Sequence, residues 1–335
     1  MTNSVYLNSI FNSSLTVTRN IDKFNFTTKL NNDNKKKVEE LILDIINKNA
    51  DTINLYDLTD GNPVLRSILY EAGLINREIF AAKEGKLAVL DKFNVALGIN
   101  IFDHITMYSS AEDFELAFIS KEIYRFEELI GRSINYAAHS KYGYLSPSIK
   151  STGLGLTAEV KVFLPGLSAL EDADMKFADL KKKGYELIKV IPFEGVKSSF
   201  YSIKSSLNYG ISEESLLSRF EQGVRSIIDM DRDILKKKFN NETLSITDTI
   251  YRSYGILRYA RTLTYDEALT HLDNLRVGLI VGVDPLGRIE LNRLQKEINL
   301  GHLSKLITGK SLTEEVARAE AVRAVIDPDS TLPES

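Results

Sequence analysis

Apolar side chains in the first part of the chain recur at the spacing of an amphipathic helix. From Val38 onward they fall on one face at a period of about 3.6 residues. A second helix is predicted to begin after Asn62, a favourable N-cap residue, with Pro63 at its first position. Gly73 is expected to terminate this helix, because glycine adopts left-handed backbone angles without strain.

Other segments carry the pattern of strands. Residues 157–166 alternate between apolar and polar side chains, and residues 86–108 have the β-branched content of two or three strands. Segments 185–195 and 199–207 lie so close in sequence that they must pair antiparallel, because a parallel crossover needs about a dozen residues or more. A short strand near Leu15–Thr18 is expected at a sheet edge. This order of elements argues against a Rossmann-type sheet and predicts an antiparallel or mixed sheet with helices packed on it.

The pattern changes after Ser212, which is a favourable N-cap residue. A long helix is predicted from there toward Asn240, and residues 240–325 contain no convincing strand. The sequence therefore predicts an α+β protein. We expect an antiparallel sheet flanked by helices over residues 1–232 and a helical C-terminal domain over residues 240–335.

Composition excludes several classes of protein. The 335 residues include 42 Lys and Arg and 46 Asp and Glu, so the formal charge of −4 predicts no binding of nucleic acid or of a membrane surface. The chain contains no Cys, which excludes disulfides, thiolate metal sites and a cysteine nucleophile. No apolar run has the length of a membrane span and the first residues lack the pattern of a secretory signal, so we expect a cytoplasmic protein.

The common catalytic motifs are absent. The chain has neither a G-x-x-x-x-G-K-[ST] phosphate loop nor a G-x-S-x-G nucleophile turn, and its four histidines lack metal-ligand spacing, so no metal site is expected. The glycine-rich stretch 151–157 lacks the lysine of a phosphate loop and is expected to form a turn. Asp103 and His104 are neighbours whose side chains would point to opposite faces of a strand, which favours a structural role.

Several motifs in collinear order resemble those of the bacterial protein-arginine kinases, relatives of the creatine and arginine kinases. KYGYLSPSIKSTGLGLTAEVKVFLPGL (141–167) is similar to the family's G-Y-L-T-S-C-P-T-N-x-G-T-G-L-R-A-S-V, which is followed by P-G-L. NSSLTVTRN (12–20) is similar to S-S-R-x-R-x-A-R-N, and NIFDHIT (100–106) to N-E-E-D-H-x-R. KVIPFEG (189–195) resembles R-G-x-x-G-E-G, and LDNLRVGL (272–279) resembles part of the family's C-terminal region.

The resemblance implies a phosphagen-kinase-like fold with an additional helical dimerisation domain. It also implies transfer of the γ-phosphoryl group of Mg-ATP to a guanidinium nitrogen, on a protein arginine in the bacterial branch. Such an enzyme needs arginines around the triphosphate. It also needs carboxylates that orient the protonated guanidinium and draw off charge or a proton.

Most of the family's arginines are replaced in this chain. Lys189 stands at one arginine position, and Arg19 is the arginine of the first motif that remains. Neutral residues stand at four further arginine positions: Ser14, Thr16, Thr106 and Thr157. The resemblance therefore implies a site that has lost most of its positive charge.

Other positions of the implied site are also changed. The two glutamates of N-E-E-D-H correspond to Ile101 and Phe102, which removes the catalytic carboxylate. Gly73 occupies the position of a nucleotide-contacting histidine, and Ser148 replaces the family cysteine. Glu194, which corresponds to the glutamate of R-G-x-x-G-E-G, is kept.

The resemblance implies a second site near the C terminus, where the family's R-D-x-x-R-A motif binds phosphoarginine. The matching stretch begins with Glu314 and Glu315 and keeps Arg318. Glu314 replaces an arginine, so a dianionic phosphoarginine would meet a carboxylate. The alternative is a solvated helix over Thr313–Ile326 in which Glu314 pairs with Arg318 at i,i+4.

We interpret the chain as a pseudokinase that acts by protein–protein interaction in protein quality control. It would form a homodimer, would be a partner or regulator of a Clp-type chaperone–protease system, and would need no cofactor. The alternative is an active ATP-dependent guanidino or protein-arginine kinase with rearranged ligands, which would need Mg-ATP. A third hypothesis is binding of a neutral polar ligand in the vacated cleft, among the hydroxyl groups of the four replaced arginine positions.

Overall fold

A computed structural model describes Tyr6 and residues 8–49, 53–149, 151–190, 198–206, 209–307 and 312–327. The strands in these ranges are β1 (Ile10–Arg19), β2 (Asn54–Asp57), β3 (Lys86–Leu90), β4 (Val95–Ile99), β5 (Ile105–Glu112), β6 (Ala138–His139), β7 (Gly143–Tyr144), β8 (Leu156–Phe163), β9 (Tyr185–Lys189) and β10 (Phe200–Ser205). The helices are α1 (Asn32–Asn49), α2 (Pro63–Glu71), α3 (Arg77–Ala81), α4 (Leu116–Gly131), α5 (Pro165–Ser168), α6 (Ala173–Lys182), α7 (Glu213–Asn241), α8 (Thr243–Tyr259), α9 (Tyr265–Val281), α10 (Arg288–Glu297), α11 (Leu300–Ile307) and α12 (Glu314–Ile326).

Eight of these strands form one antiparallel sheet in the order β2-β3-β4-β5-β1-β8-β10-β9. The predicted α+β class is confirmed, and so is the antiparallel pairing of the two neighbouring segments, which form β9 and β10. The expected edge strand near Leu15–Thr18 is wrong in its place and its length. It is part of β1, which pairs with β5 on one side and β8 on the other at the centre of the sheet. The strand's own residues do not reveal which neighbours it pairs with.

The predicted start of α2 is confirmed, and α1 begins earlier than its apolar face. The Asn62 side chain caps α2 by accepting a hydrogen bond from the Leu65 amide, and Pro63 is the first helical residue. Gly73 follows the helix with a φ of 72°, as expected for a glycine terminator. Helix α1 begins at Asn32, so the polar residues before Val38 form its first turns.

The two faces of the sheet are covered differently. Leu15 and Val17 of β1 point into the main core, which Ile42 of α1, Phe126 of α4 and Phe220 of α7 close from the same side. On the opposite face a smaller core forms where α2 and α3 cover the β2–β5 half of the sheet. The face of β1 and β8 that points away from the main core carries polar side chains.

The helices after residue 241 build their own core and also contact the sheet domain. Leu257 of α8, Leu272 of α9, Leu294 of α10 and Val322 of α12 are buried together. The described part of this region contains no strand, as predicted. Helix α7 passes without a break through residue 232, and the division into domains of residues 1–232 and 240–335 stays a prediction.

Polar contacts of α10 and α11 are among those that join the C-terminal helices to the sheet domain. Arg288 of α10 pairs with Asp113, and Lys296 Nζ lies 2.5 Å from Glu112 Oε1 at the end of β5. A further contact is between the Gly301 amide of α11 and Glu71 Oε1 of α2, at 3.0 Å. The C-terminal helices therefore contact α2, one of the two helices that cover the face of the sheet opposite the main core. Within the described ranges, no helix has both the length and the apolar character that crossing a membrane requires.

A buried carboxylate fixes the turn α5 against the long helix α7. Asp231 accepts a hydrogen bond from the Leu167 amide at 2.7 Å, and a Cβ on Gly166 would lie only 2.1 Å from the Asp231 carbonyl oxygen. Glycine is therefore required where the two backbones meet. Burial raises the pKa of Asp231 to about 7, against the opposing effect of the amides of Leu167 and Gly166.

Asp231→Asn is expected to remove part of the pH dependence of stability. A carboxyl group with a higher pKa in the folded chain than in the unfolded chain loses stability as the pH rises from about 4 to about 7, because the unfolded chain ionises first. Asn keeps an accepting oxygen and cannot ionise. The melting temperature of the variant should exceed that of the wild type at about pH 8, and the difference should shrink on acidification. The matched control is Asp233→Asn on the exposed side of α7; the same pH dependence in both variants would contradict the assignment.

Candidate functional site

Strand register brings the four replaced arginine positions to one face of the sheet. Thr16 of β1 lies directly opposite Thr157 of β8, and Thr18 lies opposite Thr106 of β5. Ser14 is two residues before Thr16, and paired residues and alternate residues share a face. Below, this surface is called the hydroxyl face, and its defining residues are Ser14, Thr16, Thr106 and Thr157.

Residues that follow α2 lie directly over the hydroxyl face. Asn76 Nδ2 donates to Thr16 Oγ1 at 3.1 Å, and Ser110 Oγ of β5 donates to the Gly73 carbonyl at 2.5 Å. A Cβ on Gly73 would lie 3.6 Å from Ser110 Oγ. Gly73, the implied nucleotide-contacting position, therefore lies over the centre of the sheet and presents a backbone carbonyl where the family has an imidazole.

Two of the four hydroxyl positions are closed to solvent. Ser14 is 4% exposed and Thr106 is 3% exposed, whereas Thr16 and Thr157 are half-buried. The cleft expected to be lined by all four side chains is therefore not open along its length. The hypothesis of a small neutral ligand among these hydroxyls stays a prediction, and of the four residues Thr16 and Thr157 keep accessible surface for it.

Two charged side chains beside the hydroxyl face neutralise each other, and a third, Lys161, lies on the same face of β8 with its Nζ 4.9 Å from the centre of the Tyr70 ring. Glu159 is two residues beyond Thr157 on β8, and its Oε2 lies 3.2 Å from Lys204 Nζ of β10. Glu159 also accepts a hydrogen bond from the Ser202 hydroxyl. Lys204 is consequently engaged by a carboxylate of the protein, and it supplies no free positive charge for a phosphate.

A second carboxyl group approaches from α3. Loss of solvation raises the pKa of Glu78, Lys204 opposes this shift, and the negative charges of Glu159 and Asp103 add to it. The pKa of Glu78 is therefore coupled to the charges of the sheet carboxylates.

The two implied carboxylate positions hold apolar side chains with different surroundings. Ile101 packs on the sheet, where a Cβ on Gly98 would lie 2.4 Å from Ile101 Cδ1. Phe102 is 54% exposed, and its carbonyl accepts a hydrogen bond from Thr27 Oγ1 at 2.5 Å. Neither side chain can accept a proton or orient a guanidinium.

Asp103 and His104 are both buried in the turn before β5, so the expectation that they point to opposite faces of a strand is wrong. Asp103 Oδ1 accepts hydrogen bonds from Asn20 Nδ2 at 2.5 Å and from Ser146 Oγ at 2.8 Å. His104 Nδ1 accepts from the Ile21 amide at 3.0 Å, which leaves Nε2 to donate to the Asn25 carbonyl at 2.9 Å. Burial raises the pKa of Asp103 and lowers that of His104. These bonds join β1 to the turn, which gives both residues a structural role.

The retained Arg19 is structural as well. Its guanidinium is buried and donates to Glu127 Oε1 at 2.6 Å and to the carbonyls of Thr18 and Leu154 at 2.8 and 2.9 Å. It also stacks 3.5 Å from the centre of the Tyr144 ring. Through Leu154, Arg19 fixes the glycine-rich stretch 151–157; the predicted turn is found in its first residues, and the stretch enters β8 at Leu156.

The remaining implied positions do not join the hydroxyl face. Lys189 ends β9 opposite Tyr201, and the register puts that pair on the other face of the sheet from Thr157. Ser148 is exposed, and its amide donates to Ser146 Oγ at 3.2 Å. Glu194 lies outside the described residues.

Sequence analysis missed Glu159, Lys204 and Glu78. The alternation of side chains along β8 could have identified Glu159, because it puts Glu159 on the same face as Thr157. The pairing with Lys204 depends on the register between β8 and β10, which no local pattern specifies. The approach of Glu78 depends on how α3 packs on the sheet.

Comparison with known proteins agrees with this geometry. Residues 33–234 match the family model "ATP:guanido phosphotransferase, C-terminal catalytic domain", which spans more than half of the chain. Residues 243–332 match the model "Protein-arginine kinase McsB C-terminal domain". The chain belongs to the protein-arginine kinase family of ATP:guanido phosphotransferases.

Relatives in this family match nearly the whole chain at modest identity. The protein-arginine kinase of Halothermothrix orenii is 27% identical over 322 residues, which is 94% of this chain and 92% of the relative. The enzyme of Bacillus cereus strain AH820 is 25% identical over 313 residues, which is 91% of this chain and 88% of the relative. The resemblance found in the sequence motifs is thus confirmed.

Solved structures share the fold. A lombricine kinase superposes with a TM-score of 0.57 at 17% identity, over 67% of this chain and 66% of that one. The substrate-free duplicated taurocyamine kinase from Schistosoma mansoni gives a TM-score of 0.60 at 16% identity, over 80% of this chain and 40% of that one. At these identities the likeness concerns the fold alone.

The stretch that the resemblance relates to the family's phosphoarginine motif lies on α12, where Arg318 is buried. Arg318 Nε and Nη1 donate to the carbonyls of Ile298 and Leu263 at 3.1 and 2.9 Å, and Arg318 is 2% exposed. The expectation of a solvated helix is therefore wrong for Arg318. Glu314 Oε2 lies 4.0 Å from Arg318 Nη2 and remains solvated. The Glu315 carbonyl accepts a hydrogen bond from the Leu263 amide at 3.0 Å. Arg318 and Glu315 therefore both connect α12 to the segment before α9.

Arg19→Lys is expected to lower the free energy of unfolding by about 3 kcal/mol. Lysine keeps the charge but cannot donate to Glu127 and to two carbonyls at the same time, and it loses the stack on Tyr144. Urea denaturation measures the change. Arg132→Lys on the exposed end of α4 is the matched control and should change little; equal effects of the two substitutions would contradict the structural role of Arg19.

Proposed function

We propose that this chain is a non-catalytic member of the protein-arginine kinase family that acts through protein–protein interaction. One observation carries the proposal. The four arginine positions that the family motifs imply come together as Ser14, Thr16, Thr106 and Thr157, and the neighbouring cation Lys204 is paired with Glu159.

Mg-ATP does not fit the hydroxyl face. A charge-assisted hydrogen bond to phosphate is worth about 1.5–3 kcal/mol, so the loss of four guanidinium groups removes most of the binding free energy. One arginine that acts on the transition state of phosphoryl transfer contributes about 10³–10⁵ in rate. The cover by Gly73 and Asn76 also restricts access.

The carboxylates that would activate the acceptor guanidinium are also missing from the implied positions. A guanidinium is protonated at neutral pH and becomes a nucleophile only when a carboxylate orients it and takes its charge or proton. Ile101 and Phe102 stand at the implied carboxylate positions, and neither has a polar side chain. Asp103 is adjacent, and its Oδ1 accepts hydrogen bonds from Asn20 and Ser146, which gives it a structural role.

We propose that the function lies in protein quality control in the cytoplasm, as a homodimer and as a partner or regulator of a Clp-type chaperone–protease system. The family resemblance and the loss of catalytic groups support this role. A protein that keeps nearly the whole family architecture without the reactive groups can still present the family's surfaces to a partner.

Nucleotide binding separates this proposal from an active kinase with rearranged ligands. We expect no change in the melting temperature of the chain on addition of Mg-ATP, and no transfer of radiolabelled γ-phosphate to an arginine-rich acceptor. A ligand present at about 100 times its Kd would stabilise the chain by about 2.7 kcal/mol, which is easily measured. The protein-arginine kinase of H. orenii serves as the positive control; stabilisation of this size in the present chain would overturn the proposal.

The partner is tested separately. We expect saturable binding of the immobilised chain to a purified Clp-type chaperone by biolayer interferometry, with an unrelated ATPase as control. Binding that is equal for the two ATPases, or absent from both, would remove the Clp-type system from the proposal.

A further inference from the structure

Residues 73–76, called the cover below, join α2 to α3 across the hydroxyl face. The carbonyl of the first residue of the cover accepts a hydrogen bond from Ser110 Oγ, and the side chain of its last residue, Asn76, donates to Thr16 Oγ1 at 3.1 Å. Ser14 is opposite Ser110 in the register of β1 and β5 and is two residues from Thr16. Ser14 therefore lies between the two positions that the cover contacts, and it is 4% exposed.

The start of the cover is fixed to the end of α2. The Gly73 amide donates to the Tyr70 carbonyl at 3.0 Å, and the Leu74 amide donates to the Leu69 carbonyl at 2.9 Å. This pair of bonds is the usual way in which a glycine with left-handed backbone angles ends a helix. The start of the cover must therefore move whenever the end of α2 moves.

The two ends of the cover are anchored unequally. Ile75 and Ile79 are buried in the smaller core and hold the α3 end. In α2 only Leu69 is buried, and the rest of that helix is half-buried or exposed. Elements with few buried apolar contacts open at a low free energy. The α2 end is therefore the end of the cover that can lift, with the α3 end as its hinge.

Helix α11 supplies a further contact to the end of α2. Gly301 lies in the first turn of α11, where backbone amides have no partner within their own helix. Its amide donates to Glu71 Oε1 at 3.0 Å, so the last residue of α2 caps α11. A carboxylate is favoured at this place because the N-terminal end of a helix carries a partial positive charge.

The backbones of the two helices meet at this contact. A Cβ on Gly301 would overlap Glu71 Oε2 and would lie 3.1 Å from the Ile68 amide nitrogen. A residue with a side chain could not take the place of Gly301 unless α2 and α11 moved apart. The contact is therefore specific to glycine at this position.

Helix α11 is itself positioned by contacts that do not involve α2. Leu303 of α11 is fully buried. In the preceding helix α10, Lys296 Nζ lies 2.5 Å from Glu112 Oε1, and Arg288 pairs with Asp113. The C-terminal helices thus connect the end of β5, which belongs to the central sheet, to the lightly anchored end of α2.

We propose that α11 is a strap that keeps the cover closed over the hydroxyl face, with the contact between Gly301 and Glu71 as its latch. When α11 leaves α2, the α2 end of the cover lifts and Ser14 becomes accessible to solvent. A partner that displaces α11 exposes the hydroxyl face without touching it. The contact is thus autoinhibitory toward any ligand of that face.

A single cysteine in place of Ser14 reports the opening of the cover, because the chain has no native Cys. The thiol of Ser14→Cys should react with DTNB only in molecules whose cover is open, so the labelling rate follows the open fraction. Ser13→Cys is the matched reporter, since Ser13 is fully buried on the other face of the same strand. It responds to loosening of the whole sheet.

Glu71→Ala removes the acceptor of the latch. Alanine forms helices at least as well as glutamate, so α2 should persist. We expect labelling of Ser14→Cys to become at least about tenfold faster, which is the effect of losing a hydrogen bond to a charged group, and labelling of Ser13→Cys to stay unchanged. Glu71→Gln keeps an accepting oxygen and should retain most of the slow labelling. Glu128→Ala, which removes an exposed carboxylate from α4, is the control.

Gly301→Ala opens the same latch from the other side. The added Cβ overlaps Glu71, so the helices must separate, while α11 itself is not weakened because alanine is a better helix former than glycine. We expect the same acceleration at Ser14→Cys. Gly255→Ala on α8 is the matched control, because outside its own helix and chain neighbours no heavy atom lies within 4 Å of the Cβ that it adds.

Three results would overturn the strap. The first is labelling of Ser14→Cys that neither Glu71→Ala nor Gly301→Ala accelerates. The second is equal acceleration of Ser13→Cys, which would mean that the whole sheet loosens. The third is labelling of Ser14→Cys as fast as in the urea-unfolded chain before the latch is changed, which would mean that the cover is not closed.

The strap does not depend on the proposed function, and the two fail separately. Nucleotide binding by a chain whose labelling follows the expected pattern would overturn the loss of catalysis and leave the strap in place. A chain that binds no nucleotide and whose labelling ignores the latch would do the reverse.

Discussion

The alternation of side chains along β1 is the constraint on which the rest of the sheet domain depends. Leu15 and Val17 point into the main core, so Ser14 and Thr16 must point to the other face. Because β1 is bonded on both edges, a shift of one residue would expose its core residues and disturb both neighbouring strands. The implied active-site positions are therefore held together by the packing of the opposite face, whatever side chains they carry.

Because of this separation, the fold does not depend on which side chains stand at the implied site. The core needs only the apolar residues of β1, β5 and β8, and none of the replaced arginines contributes to it. Once the arginines are absent, hydroxyl groups tolerate burial beneath α2 and α3 at lower cost than guanidinium groups would. Lys204 and Glu159 form an ion pair, so the positive charge of Lys204 is already neutralised within the protein.

Buried polar groups also hold the C-terminal helices on the sheet domain. Asp273 of α9 accepts a hydrogen bond from the Ser199 amide at 3.3 Å, and burial raises its pKa to about 7. Arg276 of the same helix is buried 4.1 Å from the centre of the Phe11 ring, at the start of β1. Together with the bond between Gly301 and Glu71, these contacts connect the C-terminal helices to β1 and to α2. Charged side chains buried at such a junction make it specific, because each one is costly without its own partner.

The sequence by itself determined the local elements and the chemistry that is missing. Asn62 and Pro63 fix the start of α2, the alternation of residues 157–166 fixes the faces of β8, and the identities of Ile101 and Phe102 exclude a carboxylate. The collinear motifs also determined the family, because glycines and turns that shape the backbone are retained at matching spacings.

Only the tertiary structure decided where those elements lie and what their side chains meet. β1 is central and not at an edge because β5 and β8, far away in sequence, bond to it. Arg318 is buried and not solvated because Leu263 and Ile298 supply carbonyls from other helices. In each case the deciding contact joins residues distant along the chain, and local periodicity carries no information about such pairing or about the burial that it produces.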